Sequence, residues 1–368
     1  MKKKRAIVLM VVRVKDEIQV QRAIKNLENN FLGDESKKHK WVLIVEPEDA
    51  RENTIAKDID IWNEVINRIR LLNNLYSEEE IRFYAFKRER TYYPKENIYI
   101  GKERKRGAIM DFSEYLFGIS NNFLGTSDEL YNSGIKNMCT LDLDTVITQN
   151  AISKLLEKQS EDIIIENGNV INGYGILQPH IQVIISKNTL FNAESFLFDT
   201  IKENKNNSTG TFFGKGVIHI PTFLKCMSDR LPENMILSHD IIEGEILRTL
   251  EINDVAFLES APSSLKQLLT RENRWTRGDT QNLVMLLDKT FPKTGKWKII
   301  KNVVRNLVPL TREWQTWVLF PLRVSNNFFA TSTSLLRMLI TKKNLLEWNP
   351  YNNYDITEIK KLSLESRK

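Results

Sequence analysis

Two carboxylates one residue apart, Asp142 and Asp144, close the apolar run at residues 138–145, MCTLDLDT. Side chains alternate faces along a strand, yet both acids stand where the run ends and the backbone can turn them toward one point. Hard oxygen ligands at a strand's carboxyl end suit Mg²⁺ or Mn²⁺ carrying a diphosphate, because both ions favour carboxylate and phosphate oxygens. The same spacing also recurs on solvated turns in a chain with 47 acidic residues. Three further stretches carry groups that would complete such chemistry. Residues 101–107, GKERKRG, are the densest basic cluster, with Gly at both ends and a helical pattern after them. Backbone amides at a helix start would add to the Lys and Arg charge on a phosphate; the alternative is a solvated basic turn. Within 232–250, PENMILSHDIIEGEILRTL, Ser238 or His239 can cap a helix whose first turn holds Asp240 and Glu243. Glu243 suits the helix dipole, and Asp240 is a candidate base if it reaches the edge that carries the other acids. Residues 271–281, RENRWTRGDTQ, set Arg271, Arg274, Trp275 and Arg277 within one or two helical turns. There Arg can clamp phosphate and Trp can stack on a sugar face, or the group is surface packing.

These groups need a scaffold that gathers strand ends. Residues 6–12 read as a buried strand, and Ile18, Val20, Ala23, Ile24, Leu27 and Phe31 keep helical spacing after it. WVLIVE at 41–46, a helical pattern at 55–76 and IRFYAFK at 81–87 continue the alternation, and 161–165 and 174–185 supply further strands. Strand–helix alternation predicts a βαβ sheet, and right-handed crossovers put its carboxyl ends on one edge with Asp142 and Asp144. The polar, Gly-rich stretch 204–216 either covers a ligand or simply connects. The α/β domain is expected to occupy 1–295. From Gly295 onward, Trp297, Ile299, Ile300, Val303, Val304 and Leu307 alternate with Lys296, Lys298, Lys301 and Arg305. That pattern predicts amphipathic, membrane-proximal helices over 296–348, lying at an anionic headgroup region or packed back on the domain, with 349–368 as a polar tail.

Composition narrows the class. A hydrophobic content of 41% over 368 residues supports a sizeable core, and the net charge of +6 suits an anionic partner, or solubility alone. Only Cys139 and Cys226 are present, so a reducing, cytoplasmic setting is expected, at the inner face of the cell membrane. The start MKKKRAIVLMVV mimics a signal peptide, but its apolar stretch ends at Arg13 with no small-residue cleavage site. No window approaches the roughly 18 consecutive apolar residues of a spanning helix, so membrane contact would be peripheral. A basic binding module is the rival from another class. Nucleic acid is not expected as a partner, since the basic residues are scattered among acids rather than forming one stripe.

Taken in order, IGKERKRG, LDLDT, GYGILQPHI, TGTFFGKGVIHIPTF, PENMILSHDIIEG, ENRWTRGDTQ, WKIIKNVVRNLVP and KKNLLEW resemble the glycosyltransferase domain of cyclic β-1,2-glucan synthases, over about residues 60–348. The resemblance implies an A-type glycosyltransferase fold, a Rossmann-like mixed sheet flanked by helices. It further implies an inverting, processive enzyme with UDP-glucose as donor, a growing β-1,2-linked glucan as acceptor, and Mn²⁺ or Mg²⁺. By motif, Asp142 and Asp144 would hold metal and diphosphate, and Lys105, Arg106 and Gly107 match a Lys-x-Gly element near the nucleotide. Asp240, in a Ser-His-Asp that stands for the wider group's Thr-Glu-Asp, would be the general base. Arg274 and Trp275 match the Arg-Trp of a Gln-x-x-Arg-Trp signature, serving the leaving diphosphate and the acceptor ring. Lys215 and Gly216 fall in the acceptor loop. Two departures stand out: Arg271 replaces the usual Gln, and Pro309 runs into Thr311 and Trp314 where the family carries membrane spans. Either a soluble relative or removal of the spans would explain the second, and ring closure and export are not expected of this chain. A transferase making another β-glucan or an exopolysaccharide is the alternative within the class.

Overall fold

The computed structural model describes residues 4–77, 80–94, 96–184, 208–232, 236, 238–261 and 265–304. The amphipathic segment beyond 304, the 349–368 tail, and residues 185–207, which include the start of the polar stretch at 204–207, lie outside the described residues.

The chain runs β1 (Ile7–Val14), α1 (Glu17–Gly33), β2 (Lys40–Pro47), α2 (Ala56–Tyr76), β3 (Phe83–Lys87), β4 (Thr91–Tyr93), β5 (Ile98–Ile100), α3 (Arg104–Leu116), β6 (Leu124–Gly125), β7 (Asn137–Leu141), β8 (Val146–Ile147) and α4 (Ala151–Glu157). It continues through β9 (Ile164–Glu166), β10 (Asn169–Asn172), β11 (Ile176–Ile184), β12 (Ser208–Thr209), β13 (Gly216–His219), helices Ile220–Met227 and Asp240–Ile246, and β14 (Thr249–Ser260). Helix Leu265–Gln281, a 3₁₀ turn Asn282–Leu286 and a helix over 293–304 follow.

The main sheet has the order β12-β14-β11-β13-β7-β1-β2-β3-β6, with β8 on β14. Strands β1, β2 and β3 are mutually parallel, and β7 joins the free side of β1, also parallel. The chain therefore steps one way from β1 to β3 and returns on the other side of β1. Such a reversal opens a crevice at the strand carboxyl ends, where α/β sheets bind ligands. Register pairs Met10 with Leu141, so Asp142 follows directly at that crevice.

Both faces of the central strands are covered, which is why they read as continuous apolar runs. Val8, Met10 and Val12 pack with Leu27, Phe31, Ile61 and Val65 on one face, and Ile7, Leu9 and Ile44 pack with Ala108, Phe112 and Phe223 on the other. Each fully buried Leu, Ile or Phe contributes roughly 1.5–3 kcal/mol, against about 0–1 kcal/mol for an exposed ion pair. Apolar burial thus sets the frame, and the charged edge rides on it.

Three differences from the sequence expectation have physical causes. Helix α3 starts at Arg104, inside the basic cluster, so the second half of GKERKRG, residues 104–107, becomes the helix's first turn. Strands β13 and β14 come from stretches that do not read as strands, because β13 is short and the apolar run 255–258 of β14 is flanked by Glu251, Asn253, Asp254 and Glu259. The helix over 293–304 starts before the expected boundary and docks on the domain, burying Ile299 in the core while Trp297, Ile300 and Val304 stay exposed. Among the described residues no helix is long and apolar enough to cross a membrane.

Gly216 opens β13 at φ +148°, and a Cβ there would lie 2.4 Å from the Leu177 carbonyl oxygen of β11. Gly216→Ala is expected to lower unfolding free energy by roughly 1–3 kcal/mol, the cost of overpacking a tight site. An unchanged urea midpoint at unchanged slope would contradict this.

Candidate active site

The acids are aimed by a tight turn. Thr145 N–H donates to the Asp142 carbonyl at 3.2 Å, and the Asp142 N–H donates to Thr145 Oγ1 at 3.2 Å. Two amides of α1 clamp this turn from below: Asn26 Nδ2 donates to the Leu143 and Thr145 carbonyls at 2.7 and 3.1 Å, and Asn30 Nδ2 to the Thr145 carbonyl at 3.0 Å. Asn30 Oδ1 also accepts from Ile147 N at 2.8 Å. Asp142 faces the crevice, and Asp144 is exposed beside it.

Two lysines converge on Asp142. Lys105 Nζ lies 2.5 Å from Asp142 Oδ1 and donates to the Gly214 carbonyl at 2.9 Å. Lys215 Nζ lies 3.2 Å from Asp142 Oδ2 and also pairs with Glu259 at the end of β14. Burial pushes the Asp142 carboxyl up, but the two ammonium groups outweigh it and hold the carboxyl at about 2. Burial likewise disfavours the Lys215 charge, and Asp142 and Glu259 overcome it to raise that pKa.

Lys105 reaches Asp142 because the start of α3 is bolted to the ends of β2 and β3. Arg104 makes a two-pronged pair with Asp49 at 2.6 and 2.9 Å, and Asp49 also meets Arg13 at 2.7 Å. Buried Arg88 pairs with Glu46 at 2.6 Å and donates to the Arg104 carbonyl at 3.1 Å. Glu103 and Arg104 take left-handed backbone angles, φ +59° and +54°, to enter the helix here. Gly107 permits the approach: a Cβ would lie 2.1 Å from the Lys102 carbonyl oxygen and 2.5 Å from Arg88 Nη2. Arg106 is buried against Glu103 within the same turn.

Asp240 joins this cluster through Gly214. That glycine sits at φ +75°, and a Cβ on it would stand 3.0 Å from Asp240 Oδ1. Its carbonyl takes both Lys105 and Thr140 Oγ1, the latter at 3.2 Å. One residue therefore stands against both Lys105 and Asp240. Burial raises the Asp240 pKa; His239 and Lys105 oppose that, and Glu243 and Asp142 reinforce it. His239 precedes the helix, but its side chain makes no cap hydrogen bond, contrary to the capping expectation. The ring turns to Glu243, with Nδ1 2.9 Å from Oε1.

Arg274 and Trp275 are exposed on helix Leu265–Gln281, Trp275 at 43%. The Arg271 guanidinium lies 4.6 Å over the Trp275 ring, so the residue that stands where the wider group usually has Gln covers one aromatic face. This helix seats on the Asp240 segment at Gly278, where a Cβ would meet Ser238 Cβ at 2.3 Å.

The structure thus gathers Lys105, Asp142, Lys215 and Asp240, leaves Asp144 exposed at their rim, and gives Gly107 and Gly216 close-approach roles. Glu259, Asn26 and Asn30 escaped the sequence reading. For the asparagines a signal existed: two amides four residues apart inside the apolar stripe of α1, next to Leu27 and Phe31. Glu259 carried none. The all-carboxylate donor set of Asp142 and Asp144 fits a hard divalent cation, with the lysines now supplying the charge that Asp142 faces. His239, Asp240 and Glu243 also place ligand atoms within 4.8 Å of one another, a closeness that the His239–Glu243 pair accounts for.

No family model matches the chain. The cyclic beta-(1,2)-glucan synthase NdvB of Rhizobium meliloti (strain 1021) is 26% identical over 326 residues, a match that covers 83% of this chain and 12% of that protein. The chain therefore spans about an eighth of the length of this relative.

Because the folded Asp142 pKa lies below the ordinary 3.8, its ion pairs contribute stability above that value and lose it as pH falls toward about 2. Lys105→Met leaves Lys215 alone against Asp142 and is expected to move the carboxyl pKa up toward the ordinary value. A ¹³C carboxyl titration that shows no movement would mean Lys215 suffices.

Proposed function

We propose that this chain, a distant homologue in the cyclic β-(1,2)-glucan synthase family, is an inverting glucosyltransferase that moves glucose from UDP-glucose to a growing β-1,2-glucan. The observation that carries the reading is the meeting of Asp142, Lys105 and Lys215 with Asp240 across Gly214, at the reversal point of the sheet. An anionic diphosphate at this edge would find two ammonium groups already aligned. Asp240, whose carboxyl is partly exposed and of raised basicity, is suited to accept a proton.

In the single displacement, an acceptor hydroxyl attacks the anomeric carbon from the face opposite the diphosphate. Asp240 takes the hydroxyl proton as the new C–O bond forms, while the bond to UDP breaks and its electron pair leaves with the diphosphate. Lys105 and Lys215 stabilise that charge where it develops. Mn²⁺ or Mg²⁺ held by Asp142 and Asp144 would supply further neutralisation of the diphosphate. Lys215 here serves the donor side, a shift from the acceptor role implied by its loop. Arg274 on its neighbouring helix is assigned to the leaving group and Trp275 to the acceptor sugar. Trp297, Ile300 and Val304, with Lys293, Lys296 and Lys301 on the same helix, suit peripheral contact with an anionic membrane.

Incubation with UDP-glucose, Mn²⁺ and short β-1,2-glucans, read by UDP release and product mass, tests the reading. Extension through 1→2 bonds is expected; a different linkage would reassign the product, and salt-sensitive binding without turnover would remove the enzyme. Asp240→Asn is expected to bind UDP normally and lose transfer by roughly a hundredfold or more, so full turnover would exclude Asp240 as the base. Asp144→Ala should abolish the Mn²⁺ dependence of UDP affinity in calorimetry, and a retained dependence would remove Asp144 from the metal site.

A further inference from the structure

His239 and Glu243 take no part in the displacement described above, yet their setting is costly. Glu243 faces inward from helix Asp240–Ile246 at 0% exposure. No donor among the described residues reaches either of its carboxylate oxygens in hydrogen-bonding geometry, and the His239 ring meets it as an ion-pair partner only. A carboxylate withdrawn from water needs a proton or a cation beside it. The imidazole supplies one: His239 Nδ1 is 2.9 Å from Glu243 Oε1, and the same atom is 3.6 Å from Asp240 Oδ1. One ring nitrogen therefore faces the buried acid and the candidate base together.

We propose that Glu243 and His239 are a positioning pair for Asp240, a buried carboxylate and an imidazolium that orient the base toward Gly214 and balance its charge. The proposal rests on Asp240 being the base, since neither partner is placed at the substrate. Charges from each neighbouring element are consistent with it. Burial disfavours a charged His239 and Arg106 of α3 repels it, but Glu243 and Asp240 prevail and its pKa is raised. Around Asp240, burial, Glu243 and Asp142 at the end of β7 all favour the protonated carboxyl, which is useless as a base. His239 is the largest force against them, with Lys105 of α3 behind it. Removing Glu243 would let His239 become neutral and withdraw that force, a larger change at Asp240 than the loss of the Glu243 repulsion that opposes it.

The test is a ¹⁵N and ¹³C titration of the His239 ring in the full chain and in Glu243→Gln, alongside pH profiles of kcat and KM. Wild-type His239 is expected to stay protonated at pH 7, and the variant ring to lose its proton about one pH unit lower or more, a tenfold change in proton affinity. Glu243→Gln should lose kcat by roughly tenfold to a hundredfold, keep the KM for UDP-glucose, and move the acid limb of the kcat profile to higher pH. Glu243→Asp should recover part of that loss. Should Glu243→Gln fail to fold, His239→Gln, which offers Glu243 an amide donor, is expected to show the same kcat loss and limb shift. A neutral wild-type His239 at pH 7 overturns the pair by itself, as does a limb that stays in place. Full turnover by Asp240→Asn instead overturns the assignment of the base, and the pair's purpose with it, while leaving the His239 titration as found.

Discussion

Asp142 stands at the end of a strand buried on both faces, and it keeps its charge only because two ammonium groups come to it. Much of the described edge serves that meeting. Lys105 arrives on the first turn of α3, which Arg88, Glu46 and Asp49 fasten to β2 and β3. Lys215 arrives on the turn before β13, held in turn by Glu259 from β14. Five strands are thus coupled to one carboxylate, and none could shift by a residue without breaking the set. The side-chain period of two makes such a slip cost the apolar faces as well.

The parallel half of the fold was legible because burial on both faces leaves a periodic signature. β1, β2, β3 and their helices follow the apolar spacing within a few residues. The antiparallel half was not, since β13 is short, polar residues flank the apolar run of β14, and both draw their places from neighbours already set. The candidate site divides in the same way. Carboxylates and basic clusters announce themselves by type, so Asp142, Lys105 and Asp240 could be picked out. The groups that aim them, Asn26, Asn30 and Glu259, act by reaching across 100 residues or more, and although the asparagines stand out in the apolar stripe of α1, spacing does not show what any of the three reaches. For the same reason spacing does not show the packing roles that Arg106 and Gly107, expected near the nucleotide, have in the structure.

Glycine at position 214 shows how backbone freedom becomes chemistry. Its positive φ turns the carbonyl toward Lys105 and Thr140, while its missing side chain lets the Asp240 carboxylate come close. A larger residue would both strain the turn and wedge Asp240 away from the lysines. Gly278 repeats the device on the far side, bringing the helix of Arg274 and Trp275 against Ser238. Close approach at these two glycines replaces the long side chains that would otherwise bridge the segments.

Two carboxylates in one crevice have been driven in opposite directions. Both are pushed up by burial; Asp142 gains two lysines and is carried below its ordinary value, whereas Asp240 has a shared imidazole and more distant lysine, and stays above. Separation of this kind is how a single site can hold one acid permanently charged and leave the other able to take a proton. The asymmetry originates in the fold: α3 and the Gly214 turn deliver their ammonium groups to the end of β7, and the Asp240 helix delivers Glu243 and His239 instead. Exchanging those partners would exchange the two shifts, so the role proposed for Asp240 rests on its neighbours more than on its place in a motif.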